Sequence, residues 1–189
     1  MELKNRVAII TGAGSGIGKA IALAYANAGA RTVLASRDRK KLDECAEEIR
    51  SKGGLASVAP TDVTRELQVT ALFDLAVQEW GHLDILVNSA GILTRPVPTE
   101  ESLLNVWQRV IDVNVTGTYL CCREALKVMK RQNSGRIINI GSLCAAVPRP
   151  DSAAYTTSKF AVEGLTRSLA QDGRAHGVAV SIIVDTMAM

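Results

Sequence analysis

Tyr155 and Lys159, four residues apart, are the side chains in this sequence best suited to move a proton. On a helix that spacing puts a phenol and an ammonium on one face. A neighbouring cation favours phenolate and lowers a tyrosine pKa from about 10 toward the range where it exchanges a proton near neutrality. Taken alone, such a pair is a common surface contact. Ser142 gives it context, because it follows Ile140-Gly141 at the end of an apolar run. The carboxyl ends of strands are where open α/β sheets bind ligands. Asn88-Ser89-Ala90-Gly91 closes the preceding apolar run in the same way.

A second constellation could hold a hydride carrier. Val7–Thr11 runs directly into Gly12-Ala13-Gly14-Ser15-Gly16-Ile17-Gly18 and then into an amphipathic stretch. Glycines let the backbone turn sharply, approach a pyrophosphate with no Cβ in the way, and bring helix close to strand. The helix N-terminus then offers free N–H groups and a positive dipole end to the phosphates. The GxGxxG spacing is not met, since the sixth position counted from Gly12 is Ile17; the turn fits GxxxGxG on Gly12, Gly16 and Gly18. Set between a buried strand and a helix, it implies dinucleotide binding rather than a bare βα connection.

The end of the second strand selects the cofactor. A carboxylate there accepts from the adenosine ribose 2′-OH, whereas an arginine pairs with a 2′-phosphate. Ser36-Arg37, followed by Arg39 and Lys40, favours NADP(H), and Asp38 keeps NAD(H) open.

The rest of the chain supplies elements to position these residues. Short apolar strands alternate with amphipathic stretches, the pattern of βαβ units around a parallel sheet. Strands are expected at Val7–Thr11, Thr32–Ser36, Ala56–Ala59, Leu83–Asn88, Arg136–Ile140 and Val178–Val184. Several are apolar without alternation, as strands covered on both faces should be. One apolar helical face runs from Ile17 to Ala28, before Gly29. A second holds Leu42, Cys45, Ala46 and Ile49, which makes Cys45 a core residue, and a third runs from Val69 to Trp80, closed by Gly81. Helical regions follow at about 101–132, with a break near Val113–Gly117, and at about 153–176. Residues 1–189 read as a single domain.

The totals exclude other classes. A net charge of +3 with interspersed signs, and 4% aromatic residues, argue against nucleic acid and anionic membranes. No stretch approaches the ~18 apolar residues of a membrane span. The four cysteines, Cys45, Cys121, Cys122 and Cys144, show no disulfide or metal spacing, and a reduced, cytoplasmic setting follows. Cys121, Cys122 and Cys144 are expected as buried structural thiols. His82 and His176 stand apart from one another and are expected at loops or helix ends, with no metal site.

Together these residues resemble the short-chain dehydrogenase/reductase family, and within it the 3-oxoacyl-carrier-protein reductase-like group. The resemblance rests on Thr11–Gly18, Asp62-Val63, Asn88-Ser89-Ala90-Gly91, Asn114, Ser142 and Tyr155-x-x-x-Lys159. It implies a doubly wound Rossmann fold with strand order 3-2-1-4-5-6 and helices on both faces. It also implies an oxidoreductase acting on a small-molecule carbonyl or secondary alcohol. Ser142 would hydrogen-bond the substrate oxygen and Tyr155 would give or take its proton. Lys159 would bind the nicotinamide ribose and lower the Tyr155 pKa, and Asn114 would anchor a proton-relaying water. Gly12, Ser15, Gly16, Ile17, Gly18, Ser36 and Arg37 would bind cofactor, Asp62 and Val63 would meet the adenine, and Asn88, Ala90 and Gly91 would line the adenosine side. A homotetramer or dimer is implied as well.

One departure stands out. Family members continue after the last strand with Pro-Gly, a threonine-bearing loop, a substrate helix and a final strand, whereas here Val184 leads to Asp185-Thr186-Met187. The sequence is therefore expected to be truncated, or incomplete, after 184. That leaves two alternatives to an NADP-linked enzyme: an NAD-linked alcohol or sugar dehydrogenase, and a non-catalytic dinucleotide-binding paralogue.

Overall fold

The computed structural model describes residues 2–184. Six parallel strands form one sheet: β1 (Val7–Thr11), β2 (Arg31–Ser36), β3 (Leu55–Pro60), β4 (Ile85–Asn88), β5 (Gly135–Ile140) and β6 (Val178–Ile183). Their order is β3-β2-β1-β4-β5-β6, the expected doubly wound arrangement. The order reverses beside β1, so the crevice at the switch point opens above the carboxyl ends of β1 and β4.

Side-chain alternation on the central strands builds a core on each face. Ala8 and Ile10 of β1 and Leu34 of β2 meet α1 (Gly16–Asn27) and α2 (Arg39–Ser51). Val7, Ile9, Val33 and Ala35 point the other way, toward α3 (Glu66–Trp80), α5 (Thr118–Gln132) and α6 (Ala153–Arg174). Both sides of β1 are apolar because both are covered, which is why the strand shows no polar alternation.

The broken helical region is α4 (Leu104–Ile111), a π-helical turn at Asp112–Gly117, and α5 in unbroken succession. The break near Val113–Gly117 is thus a widened turn rather than an interruption, a form often found at functional sites. Gly117 is fixed by contact, since a Cβ there would come within 2.6 Å of Val63 Cγ2. Gly81, at φ 81°, ends α3 in the left-handed conformation as its position after Trp80 predicts.

β2, β3 and β5 begin one residue before their expected starts and β3 ends one residue later, whereas β4 and β6 are shorter than expected. β4 begins at Ile85. Asp84 before it bonds both neighbours through its backbone, its N–H donating to the Val7 carbonyl at 3.0 Å and its carbonyl accepting from Arg136 N–H at 2.8 Å. Its carboxylate accepts from Val7 N–H at 2.8 Å and from Arg6 at 2.6 Å. β6 ends at Ile183, one residue before Val184. Asp185-Thr186-Met187 lies outside the described residues. Among those described, no helix is long and apolar enough to cross a membrane.

Candidate active site

The glycine turn fits a close-lying ligand. Gly12 has φ 69°, and a Cβ on it would stand 2.9 Å from the Ser89–Ala90 backbone. At Gly18 a Cβ would sit 2.3 Å from the Gly12 carbonyl oxygen, so this glycine lets α1 start directly against the turn. A Cβ on Gly16, at φ 52°, would meet open space. The Ser15 side chain makes no capping hydrogen bond. The orphan N–H groups of the first turn of α1 are therefore left for another acceptor.

Thr11, buried at the end of β1, joins this turn to the next strand. Its hydroxyl accepts from Ser89 N–H and Ala90 N–H, both at 3.1 Å, and donates to the Val87 carbonyl. Three hollows of about 490, 120 and 300 Å³ share Gly12 and form one crevice along the carboxyl edge of the sheet. The first is walled by Ser15, Ser36, Arg37, Asp38 and Lys41, the second by Asp62, Val63, Ala90 and Gly91. Ser15, Ile17, Gly18, Ile140, Gly141, Tyr155 and Lys159 border the third. A further hollow of about 290 Å³ lies at the opposite sheet edge, beside Leu23, Ile49 and Leu55, and shares no residue with the crevice.

At the end of the crevice walled by Arg37, Asp38 caps α2 by accepting from Lys41 N–H at 3.2 Å. Its other carboxylate oxygen lies 3.8 Å from the Lys41 ammonium. Arg37 and Lys41 thus stand on one wall as cations, with the nearby acid engaged at a helix start. Burial pushes the Asp62 carboxyl up, but bonds from the Thr64 N–H and hydroxyl, with the charges of Arg37 and Arg65, hold it below the usual range.

At the other end, Tyr155 sits in the first turn of α6 and Lys159 one turn on. The Lys159 side chain is largely buried, and its ammonium donates to the Ile140 carbonyl at 2.9 Å and lies 5.5 Å from the centre of the Tyr155 ring. Ser142, just past Gly141, is buried with its hydroxyl accepting from Cys144 N–H at 3.3 Å. Asn114, on the π-helical turn, accepts from Ile92 N–H at 2.8 Å through Oδ1. Its Nδ2 donates to the Ile92 carbonyl and to Ser158 Oγ, both at 3.0 Å. Both Nδ2 hydrogens are therefore spent on protein partners, and the Asn114 backbone carbonyl accepts from the Thr118 hydroxyl at 2.8 Å.

Asn88 is placed differently from its neighbours. Its side chain is buried and donates to Asn139 Oδ1 at 2.9 Å and to Cys122 Sγ at 3.2 Å, so it faces the core under the sheet while Ala90 and Gly91 face the crevice. Burial pushes the Cys122 thiol up to about 12 and drives Cys121 higher still. All four cysteines are buried. Sequence reasoning had not singled out Thr11 for its own bonds, nor Lys41 or Ser158. Asp38, three residues before Lys41, carried a helix-cap signal for the second. Ser158 gave none beyond standing next to Lys159.

A family model described as short chain dehydrogenase matches residues 6–188. The chain is 40% identical over 178 residues to cis-4-hydroxycyclohexanecarboxylate dehydrogenase of Sinomonas cyclohexanicum, covering 94% of this chain and 71% of that protein. It is 38% identical over 184 residues to glucose 1-dehydrogenase 2 of Bacillus subtilis, covering 96% and 71%. Among solved structures it matches an NAD+-bound xylitol dehydrogenase with a TM-score of 0.96 at 33% identity, over 98% of this chain and 72% of that one. It also matches a metagenomic short-chain oxidoreductase in complex with NADP, with a TM-score of 0.94 at 36% identity, over 100% and 85%.

Proposed function

The chain belongs to the short-chain dehydrogenases, and on that footing we propose that it moves a hydride between NADP(H) and a small carbonyl or secondary alcohol, with Tyr155 as general acid and base. The observation that carries this reading is the crevice itself, which runs from Arg37 and Lys41 past the Gly12–Gly18 turn to Tyr155 and Lys159. When bound, the nicotinamide supplies or accepts the hydride. In reduction the Tyr155 hydroxyl gives its proton to the substrate oxygen, and in oxidation the phenolate takes it back. Lys159, held by Ile140, keeps a positive charge beside that phenol. Ser142 orients the substrate oxygen from the end of β5. Asn114 holds the Ile92 loop and the π-helical turn together, and a water it anchors would bond a remaining lone pair on one of its oxygens. A homo-oligomer accompanies this reading.

Preference for NADP(H) is supported by Arg37 and Lys41 on the adenosine wall, with the Asp38 carboxylate engaged as a helix cap. The second reading, an NAD-linked alcohol or sugar dehydrogenase, rests on Asp38 lining that same wall and on the likeness to the NAD+-bound xylitol dehydrogenase. NADPH and NADH binding, followed by cofactor oxidation with a panel of alicyclic ketones, keto-sugars and 3-oxoacyl thioesters, tests both. Tighter binding of NADPH and turnover of a member of the panel is the expected result. Tighter NADH binding favours the second reading, and NADPH binding without any turnover favours a non-catalytic dinucleotide-binding protein.

A further inference from the structure

We propose that Ser158 is a positioning residue that ties the turn of α6 bearing Tyr155 to the π-helical turn bearing Asn114. This rests on the acid/base role assigned above to Tyr155. Ser158 is fully buried. Its hydroxyl donates to the Tyr155 carbonyl at 2.7 Å and accepts from Asn114 Nδ2 at 3.0 Å. A serine that bonds back to its own helix is ordinary. The second bond is what matters, because it comes from another element and uses the hydroxyl as an acceptor.

The linkage continues past Asn114. The same amide clamps both the N–H and the carbonyl of Ile92, which follows the crevice-lining Ala90-Gly91. One chain of hydrogen bonds, Ile92 to Asn114 to Ser158 to Tyr155, therefore fixes three crevice walls relative to one another. Each wall comes from a different segment: the loop after β4, the π-helical turn and the first turn of α6. Lys159 is tied separately, through Ile140, to the end of β5. The ammonium is thus anchored to the sheet, and Ser158 ties the helical turn that carries the tyrosine to Asn114. Removing its hydroxyl leaves a buried Asn114 N–H short of a partner and frees the Tyr155 turn from its lateral tie. A reacting group displaced by ~1 Å can cost ~10²-fold in rate.

The test follows Tyr155 directly. In protein carrying tyrosine labelled with carbon-13 at Cζ there are three signals, from Tyr25, Tyr119 and Tyr155, and Tyr155→Phe identifies the one of interest. In Ser158→Ala the Tyr155 signal is expected to titrate at higher pH than in the wild type, because a displaced phenol loses part of the Lys159 stabilisation. The exposed Tyr119 signal is the internal control. Ser158→Thr, which keeps the hydroxyl, should return Tyr155 toward its wild-type titration. With a substrate, kcat of Ser158→Ala should fall roughly tenfold while the NADPH KM stays in place. Should Ser158→Ala not fold, Ser158→Cys, whose thiol is a weak donor and acceptor, reads the same displacement. An unmoved Tyr155 titration in the folded variant, or equal displacement in the Ala and Thr variants, overturns the inference. Absence of turnover in the wild type would count against the proposed function alone, since the titration needs no substrate.

Discussion

The Lys159 ammonium stands 5.5 Å from the centre of the Tyr155 ring while donating to the carbonyl of Ile140, the last residue of β5. The cation is thereby fixed to the sheet and does not merely trail along its helix. In the proposed mechanism this charge is what favours the phenolate over the phenol. Lys159→Met, which keeps much of the aliphatic bulk, is expected to push the acidic limb of the alcohol-oxidation profile to higher pH. A pH–rate series with the variant checks this, and an unmoved limb would contradict it.

Gly18→Ala tests the contact between turn and helix. Its Cβ would stand 2.3 Å from the Gly12 carbonyl oxygen, so α1 must move away from β1. Overpacking of this kind costs about 1–3 kcal/mol. Denaturant unfolding should show that loss, and calorimetric titration should show weakened NADPH binding in the folded fraction.

Arg37→Ala addresses cofactor choice. Hydrogen bonds to a charged group are worth about 1.5–3 kcal/mol, so NADPH affinity should fall roughly tenfold or more with NADH affinity little changed. Lys41→Ala should act in the same direction. Equal losses for the two cofactors would remove both residues from the discrimination.

The central strands β1, β2 and β4 were legible because their composition answers to burial on both faces. Ile9 and Ile10 face opposite cores, and a run such as Val7–Thr11 has no other comfortable place. The crevice was legible because Gly12 and Gly18 are demanded by contacts of under 3 Å, which only glycine meets. Asn88 shows where reading stops. The family resemblance implies that it lines the adenosine side of a cofactor, but nothing local in the sequence announces its side-chain partner, which register supplies by aligning it with Asn139 on β5. Both amides turn into the core. Ser158 was silent for a related reason, since its partner Asn114 is 44 residues away and meets it only across the tertiary fold.

Away from the site, Glu124 predicts an acid limb of stability. Burial pushes its carboxyl up, but bonds from Lys127, at 2.8 and 3.0 Å, and from Arg123, at 3.0 Å, outweigh this and hold it below the usual range. A folded-state pKa below the unfolded one gives stability that is present above about pH 4 and is lost as pH falls through the folded value. Thermal unfolding from neutrality toward about pH 3 should show the wild type above Glu124→Gln at first, with the gap closing in acid. A gap independent of pH would contradict it.

The central claim is that Tyr155 carries the proton. The direct measurement is kcat for NADPH-dependent ketone reduction in Tyr155→Phe beside the wild type, with NADPH affinity measured on the same samples. Phenylalanine preserves the ring over which Lys159 lies and removes only the hydroxyl. A fall in kcat on the order of 10²–10⁴ with NADPH binding retained is expected. Turnover in Tyr155→Phe equal to the wild type's would contradict it.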